Sequence, residues 1–161
     1  MAVGAFTVRW EQQLDLALSY ITEAERILVR EFHPQVTESQ KRWRELKDIY
    51  IRRSEILKAR KDLNGAIEAA LLAVKTAEKQ IEIRPSHVGN RESLSSLFWK
   101  VANLYREANQ WKADDLAIQN GRQSIEVLMK LEKEGKLNEL RKKDQETRTR
   151  ICEDWERERA L

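Results

Sequence analysis

Cysteine, proline, glycine and histidine are all scarce in this 161-residue chain, and each scarcity excludes something. Cys152 is the only cysteine, so no intrachain disulfide can form, and a reducing compartment is the natural setting. Its place between Ile151 and Glu153 in a charged stretch leaves a reactive thiol and an incidental residue both open. Two prolines and five glycines leave few breaks, and with 35% charged residues the composition favours long helices over strands. The two histidines, His33 and His87, both lie near prolines and begin no metal motif. There is no His-Glu-x-x-His, no cysteine pair, no Glu-x-x-His, no glycine-rich phosphate loop and no Gly-x-Ser-x-Gly elbow. The expectation is therefore no enzyme, no metal and no cofactor.

Long apolar runs are missing too. No segment approaches the ~18 residues that a membrane-spanning helix needs. The opening Met-Ala-Val-Gly-Ala-Phe lacks the basic region and apolar core of a signal peptide, which points to the cytoplasm. Net charge is only +3, from 30 basic and 27 acidic side chains, so the pI near 9.0 reflects a small surplus and argues weakly for nucleic acid. One stretch is more basic. Residues 41–61 hold Lys41, Arg42, Arg44, Lys47, Arg52, Arg53, Lys58, Arg60 and Lys61 against Glu45, Asp48 and Glu55. That surplus could meet phosphates, but it spreads around the whole helix. A basic nucleic-acid-binding accessory protein is thus the alternative reading.

What the chain does contain is a repeat. Pro34, Leu46, Ala66, Ile67, Ala70, Ala73 and Val74 recur as Pro85, Leu97, Ala117, Ile118, Gly121, Ser124 and Ile125, each 51 positions on. A partial third copy lies upstream, where Ala17, Leu18 and Ala24 echo Ala66, Ile67 and Ala73 at a spacing of 49. Periods of 20–50 residues signal stacked supersecondary units, since one unit cannot bury its apolar face alone. Apolar residues at 3,4 spacing predict helices over about 7–32, 37–61, 65–83, 91–108, 112–133 and 136–160. His33-Pro34 ends the first, Thr37 or Ser39 can cap the second, and Asp62-Leu63-Asn64-Gly65 turns the chain into the third. The small residues of the third helix predict the most buried element, and Gly121 is expected to allow close packing against the fourth helix. The last helix keeps only Leu137, Leu140, Ile151 and Trp155 as apolar residues and reads as a charged C-terminal cap.

These residues resemble the tetratricopeptide repeat (TPR) superfamily, in a bacterial-type variant lengthened to about fifty residues. The resemblance rests on Phe98, Val101, Ala102 and Tyr105, on the similar run Trp43, Leu46 and Tyr50, and on the pairs Ala66-Ile67 and Ala117-Ile118 followed by Ala73 and Ser124. The turn Lys61-Asp62-Leu63 and its counterpart Asn109-Gln110-Trp111 add to it. It covers about residues 10–133. Lys47 departs from the pattern where a small residue is usual, and matching Trp43 to Phe98 needs a spacing of 55, so the register of the first copy stays open between 51 and 55. The resemblance implies an all-α, TPR-like α-solenoid of about six antiparallel helices forming a single domain, 1–161. It implies a scaffold or adaptor that binds a partner peptide or helix in a concave groove.

Trp99 is the most pointed candidate for such a groove, because it falls opposite the apolar stripe of its helix, beside Asn103 and Arg106. The other reading is that it packs under an adjacent helix. In the first copy the corresponding face carries Arg44, Asp48 and Arg52, and arginine suits bidentate carboxylate binding. The expected partner-binding set is Arg44, Asp48, Arg52, Trp99, Asn103 and Arg106; a solvated face with i,i+4 pairs is the plain alternative. The apolar segment Val3, Phe6, Val8 and Trp10 also suggests a homodimer through the N-terminal helix, whose own partner helix is not apparent.

Overall fold

The computed structural model describes residues 2–30, 40–108 and 115–160, with side chains from residue 9 onward except at 40. Those residues form six helices and no strand: α1 Ala2–Arg30, α2 Gln40–Ala59, α3 Leu63–Ile83, α4 Val88–Glu107, α5 Leu116–Lys133 and α6 Glu139–Ala160. The chain is all-α, as its composition implied. The boundary residues His33-Pro34, Thr37, Ser39 and Asn109-Gln110-Trp111 lie outside the described residues.

Local chemistry sets the visible helix ends. Asp62 begins α3 by accepting the Gly65 N–H on Oδ1 at 2.9 Å. His87 does the same for α4, its Nδ1 accepting from the Asn90 N–H at 3.1 Å, so α4 starts three residues earlier than its apolar spacing indicated. Gly135, at φ +66°, ends α5: its N–H bonds to the Glu132 carbonyl and the next N–H, of Lys136, reaches back to Leu131. Asn138 then opens α6 through the Arg141 N–H, which is why that helix begins at Glu139 rather than at 136.

Burial repeats with the sequence period. Ala66, Ile67, Ala69, Ala70, Ala73, Val74 and Ala77 are buried in α3, and the residues 51 positions later are all buried in α5. In the helices before them, Leu46, Lys47, Tyr50 and Ser54 of α2 match Leu97, Phe98, Val101 and Tyr105 of α4. This settles the register of the first copy at 51, with Lys47 standing where α4 has Phe98. The same period continues into α6, where Arg148, Cys152 and Trp155 follow Leu97, Val101 and Leu104 and are likewise buried. The charged C-terminal helix thus carries a buried stripe at the same spacing. Its buried stripe was hard to see because an arginine and a cysteine hold two of its three positions. Leu140, counted among its apolar residues, is 68% exposed.

The chain divides into two compact units, 1–76 and 77–161, with the division inside α3. In the first, α1 packs on α2. The Arg53 guanidinium meets Glu25 at 2.6 Å and that of Arg60 meets Asp15 at 2.9 Å, which fixes α1 along α2. Buried Ser54 of α2 donates to the Ala66 carbonyl at 2.8 Å, satisfying its hydroxyl where no water reaches.

In the second unit α4 packs on α5 and α5 on α6. Gly121 is the most closely approached glycine of this unit. A Cβ there would stand 2.5 Å from Cys152 Sγ, against 3.6 Å from the Trp99 ring and 3.7 Å from Trp155. The Trp99 ring of α4 stands at ordinary contact distance, as expected, while the thiol of α6 needs the space most. Leu128, Leu131 and Leu137 close the far end of this core, with Val88 packed against them.

Candidate partner-binding surface

Apolar exposure concentrates on α1. Trp10, Leu16, Tyr20, Ile27 and Val29 are all exposed, Tyr20 at 68%, although a helix of this amphipathic kind ordinarily hides such residues. Leu14, by contrast, is buried. Between α1 and α2 runs a groove of ≈ 630 Å³, lined on one side by Trp10, Leu14, Ala17, Tyr20, Ile21 and Ala24 and on the other by Arg52, Glu55, Ile56 and Ala59. A more polar recess of ≈ 440 Å³ shares Trp10, Leu14 and Ala59 with it and adds Asp15 and Arg60. Ala17, Ile21 and Ala24 are only half-buried, whereas Ala66, Ala70 and Ala73, their counterparts in α3, are fully buried.

Two buried polar residues of α2, Tyr50 and Lys47, lie outside the groove lining. Burial, with Glu25 beside it, pushes the Tyr50 phenol up to about 12, so it stays a neutral hydrogen-bonding group at any physiological pH. Burial also lowers the Lys47 ammonium, with Asp48 opposing the shift.

The predicted site residues separate into two groups. Arg44, Asp48 and Arg52 are exposed on α2, and Arg52 lines the groove. Trp99 and Arg106 pack against α6 within the second unit, whereas Asn103 stays exposed. Part of the α4 face that the wheel assigned to solvent lies under α6: Trp99 is half-buried and stacks on Trp155, centroids 5.5 Å apart and planes 5° from parallel. Asn103 donates to the Trp99 carbonyl one turn back, at 2.8 Å. Arg106 pairs with Glu158 at 2.8 Å and lies over the Trp155 ring at 5.2 Å. Of the two readings of Trp99, packing under an adjacent helix is the one observed.

A polar node inside the second unit escaped the sequence reading. Arg148, 8% exposed, donates to Ser95 Oγ at 2.8 Å and Ser124 Oγ at 2.7 Å, and its guanidinium lies 5.5 Å from the Trp99 ring centre. Ser95 in turn donates to the Ser124 carbonyl at 2.8 Å. Burial lowers the Arg148 pKa, with Asp144 opposing, yet an arginine keeps its charge. Only the 51-residue period pointed to it, through Leu97. Cys152 is fully buried, and desolvation raises its thiol to about 11, which removes the thiolate needed for chemistry near neutral pH.

The basic stretch of α2 is partly neutralised. Arg53 and Arg60 pair with carboxylates of α1, Lys41 lies 3.8 Å from Glu45, and Lys47 is buried. Among the described residues no cluster of His, Cys, Asp and Glu could hold a metal ion, and no helix is long and apolar enough to cross a membrane. The side chains of Val3, Phe6 and Val8 and all of His33 lie outside the described residues, while His87 serves as a helix cap.

Comparison with family models, curated proteins and solved structures gives no match to this chain.

Proposed function

We propose that the chain is a protein–protein interaction module, a TPR-like scaffold or adaptor of antiparallel helical hairpins that works in the cytoplasm by binding a partner without covalent chemistry. The observation that carries this reading is the open apolar groove between α1 and α2. Exposed Trp10 and Tyr20 beside Arg52 match the composition of interface hot spots. The 51-residue repetition of burial supports the helical-repeat class, and the ion-pair order Asp15–Arg60 and Glu25–Arg53 supports antiparallel pairing of α1 with α2. Arg52 and Glu55 line this groove, and Arg44 and Asp48, exposed on the same helix, stay in the proposed partner-binding set. The nucleic-acid alternative is weakened, because Lys41 and Arg53 pair with carboxylates and Lys47 is buried.

The test is site-specific photocrosslinking in the native host, with benzoylphenylalanine in place of Tyr20 or, as control, of Glu153 on exposed α6. A discrete protein adduct from position 20 and none from 153 is expected. Equal or absent adducts from the two positions would sink the reading.

A further inference from the structure

The first turn of α4 is fastened to its surroundings, and one fastening depends on the charge of a histidine. His87 precedes the helix in extended conformation, at φ −75° and ψ 105°, and its Nδ1 accepts the Asn90 N–H at 3.1 Å. The ring lies close over Gly89, where a Cβ would stand 3.1 Å from Cε1. Residues of the same turn reach other elements. Asn90 donates its side-chain N–H to the Gln80 carbonyl of α3 at 3.4 Å. Arg91 donates twice to Glu134, just past α5, at 2.7 and 2.8 Å, and Val88 packs on Leu128, Leu131 and Leu137.

An imidazole nitrogen accepts a hydrogen bond only while it carries no proton. Protonation turns Nδ1 into a donor facing a donor, and sets a cation at the positive end of the α4 dipole. The charged groups of the elements that meet here do not offset that cation. Arg84 and Arg91 flank His87 in the chain. Glu82 of α3 pairs with Lys79, Glu92 of α4 with Arg141, and Glu134 with both Arg91 and Lys136. From this geometry we propose that His87 is a pH-sensitive catch: the neutral ring holds the first turn of α4 closed, and its protonation opens that turn. Histidine ordinarily changes charge between about pH 5 and 8, so the stability the cap contributes is present at the upper end and lost as pH falls. This inference goes beyond the interaction-module reading and does not depend on it.

Nitrogen-15 NMR of the full-length chain tests it. At about pH 8 the His87 ring is expected to carry its proton on Nε2 and leave Nδ1 bare, as the accepting role requires. The exchange protection of the Asn90 amide, corrected for intrinsic exchange, should fall about fivefold between about pH 7.5 and 5.5, the scale of losing one helix cap. In His87→Asn, whose side chain caps at any pH, protection should hold across the same range. The Arg141 amide, capped by Asn138, is the internal control and should stay constant. A proton on Nδ1 at the upper pH, equal protection of the Asn90 amide at both ends, or an equal fall in His87→Asn overturns the proposal. The ring measurement needs no variant, so it decides the matter if His87→Asn folds poorly. Crosslinking at position 20 is unaffected by these outcomes, and the module reading stands or falls separately.

Discussion

Replacing Gly121 with alanine tests the packing of the second unit at its most closely approached glycine. In an exposed helix interior the change gains about 1 kcal/mol, because glycine loses more backbone entropy on folding. Here the new methyl carbon would sit 2.5 Å from Cys152 Sγ, about 1 Å inside an ordinary contact. Cys152 is fully buried with a short side chain, and Trp99 and Trp155 stand within 4 Å of the same point, so the sulfur has little room to withdraw. Forcing a methyl into such a core costs about 1–3 kcal/mol, which outweighs the helix gain and leaves a net loss of roughly 1 kcal/mol. Cys152→Ala alone should also lose about 1 kcal/mol of buried contact. Once the sulfur is gone, however, Gly121→Ala should become stabilising, so the two changes should couple by about 2 kcal/mol. Urea titrations of the four proteins, followed by circular dichroism at 222 nm, measure the cycle. The reasoning fails if Gly121→Ala stabilises the parent chain, or if coupling falls below about 0.5 kcal/mol.

The thiol makes its own prediction. Its pKa is raised from 9.0 to about 11, so folding favours the neutral form; the associated stability is complete below pH 9 and is lost as pH rises through about 11. Cys152→Ala should flatten the decline of the urea midpoint across that window, and in the parent chain the thiol should react with a disulfide reagent at pH 8 only after denaturation. Arg148→Ala should destabilise the chain by about 2 kcal/mol, through lost charge-assisted bonds to Ser95 and Ser124 and lost packing against Trp99. An unchanged urea midpoint would show that the two serines, 3.2 Å apart, suffice for each other.

Much of the fold was legible because its signals are local or periodic. Helix-favouring composition, sparse breakers and 3,4 apolar spacing specify helices wherever they stand, and the repeated small residues of α3 and α5 marked the buried stripes. The candidate site was less legible. Trp99 and Arg106 looked solvent-facing because a helical wheel knows only its own helix. The helix that covers them, α6, concealed its inner stripe by using Arg148 and Cys152 where apolar residues are usual. Lys47 misled in the same way, as a lysine at a position buried in both copies.

By itself the sequence determined the helices, their period of 51 and the small-residue seams, since these depend on backbone propensity and on spacing along one chain. Only the tertiary structure decided which faces are covered. That Trp99 is shielded while Tyr20 meets solvent depends on whether another helix lies alongside, and burial is a property of the neighbours a side chain acquires in space.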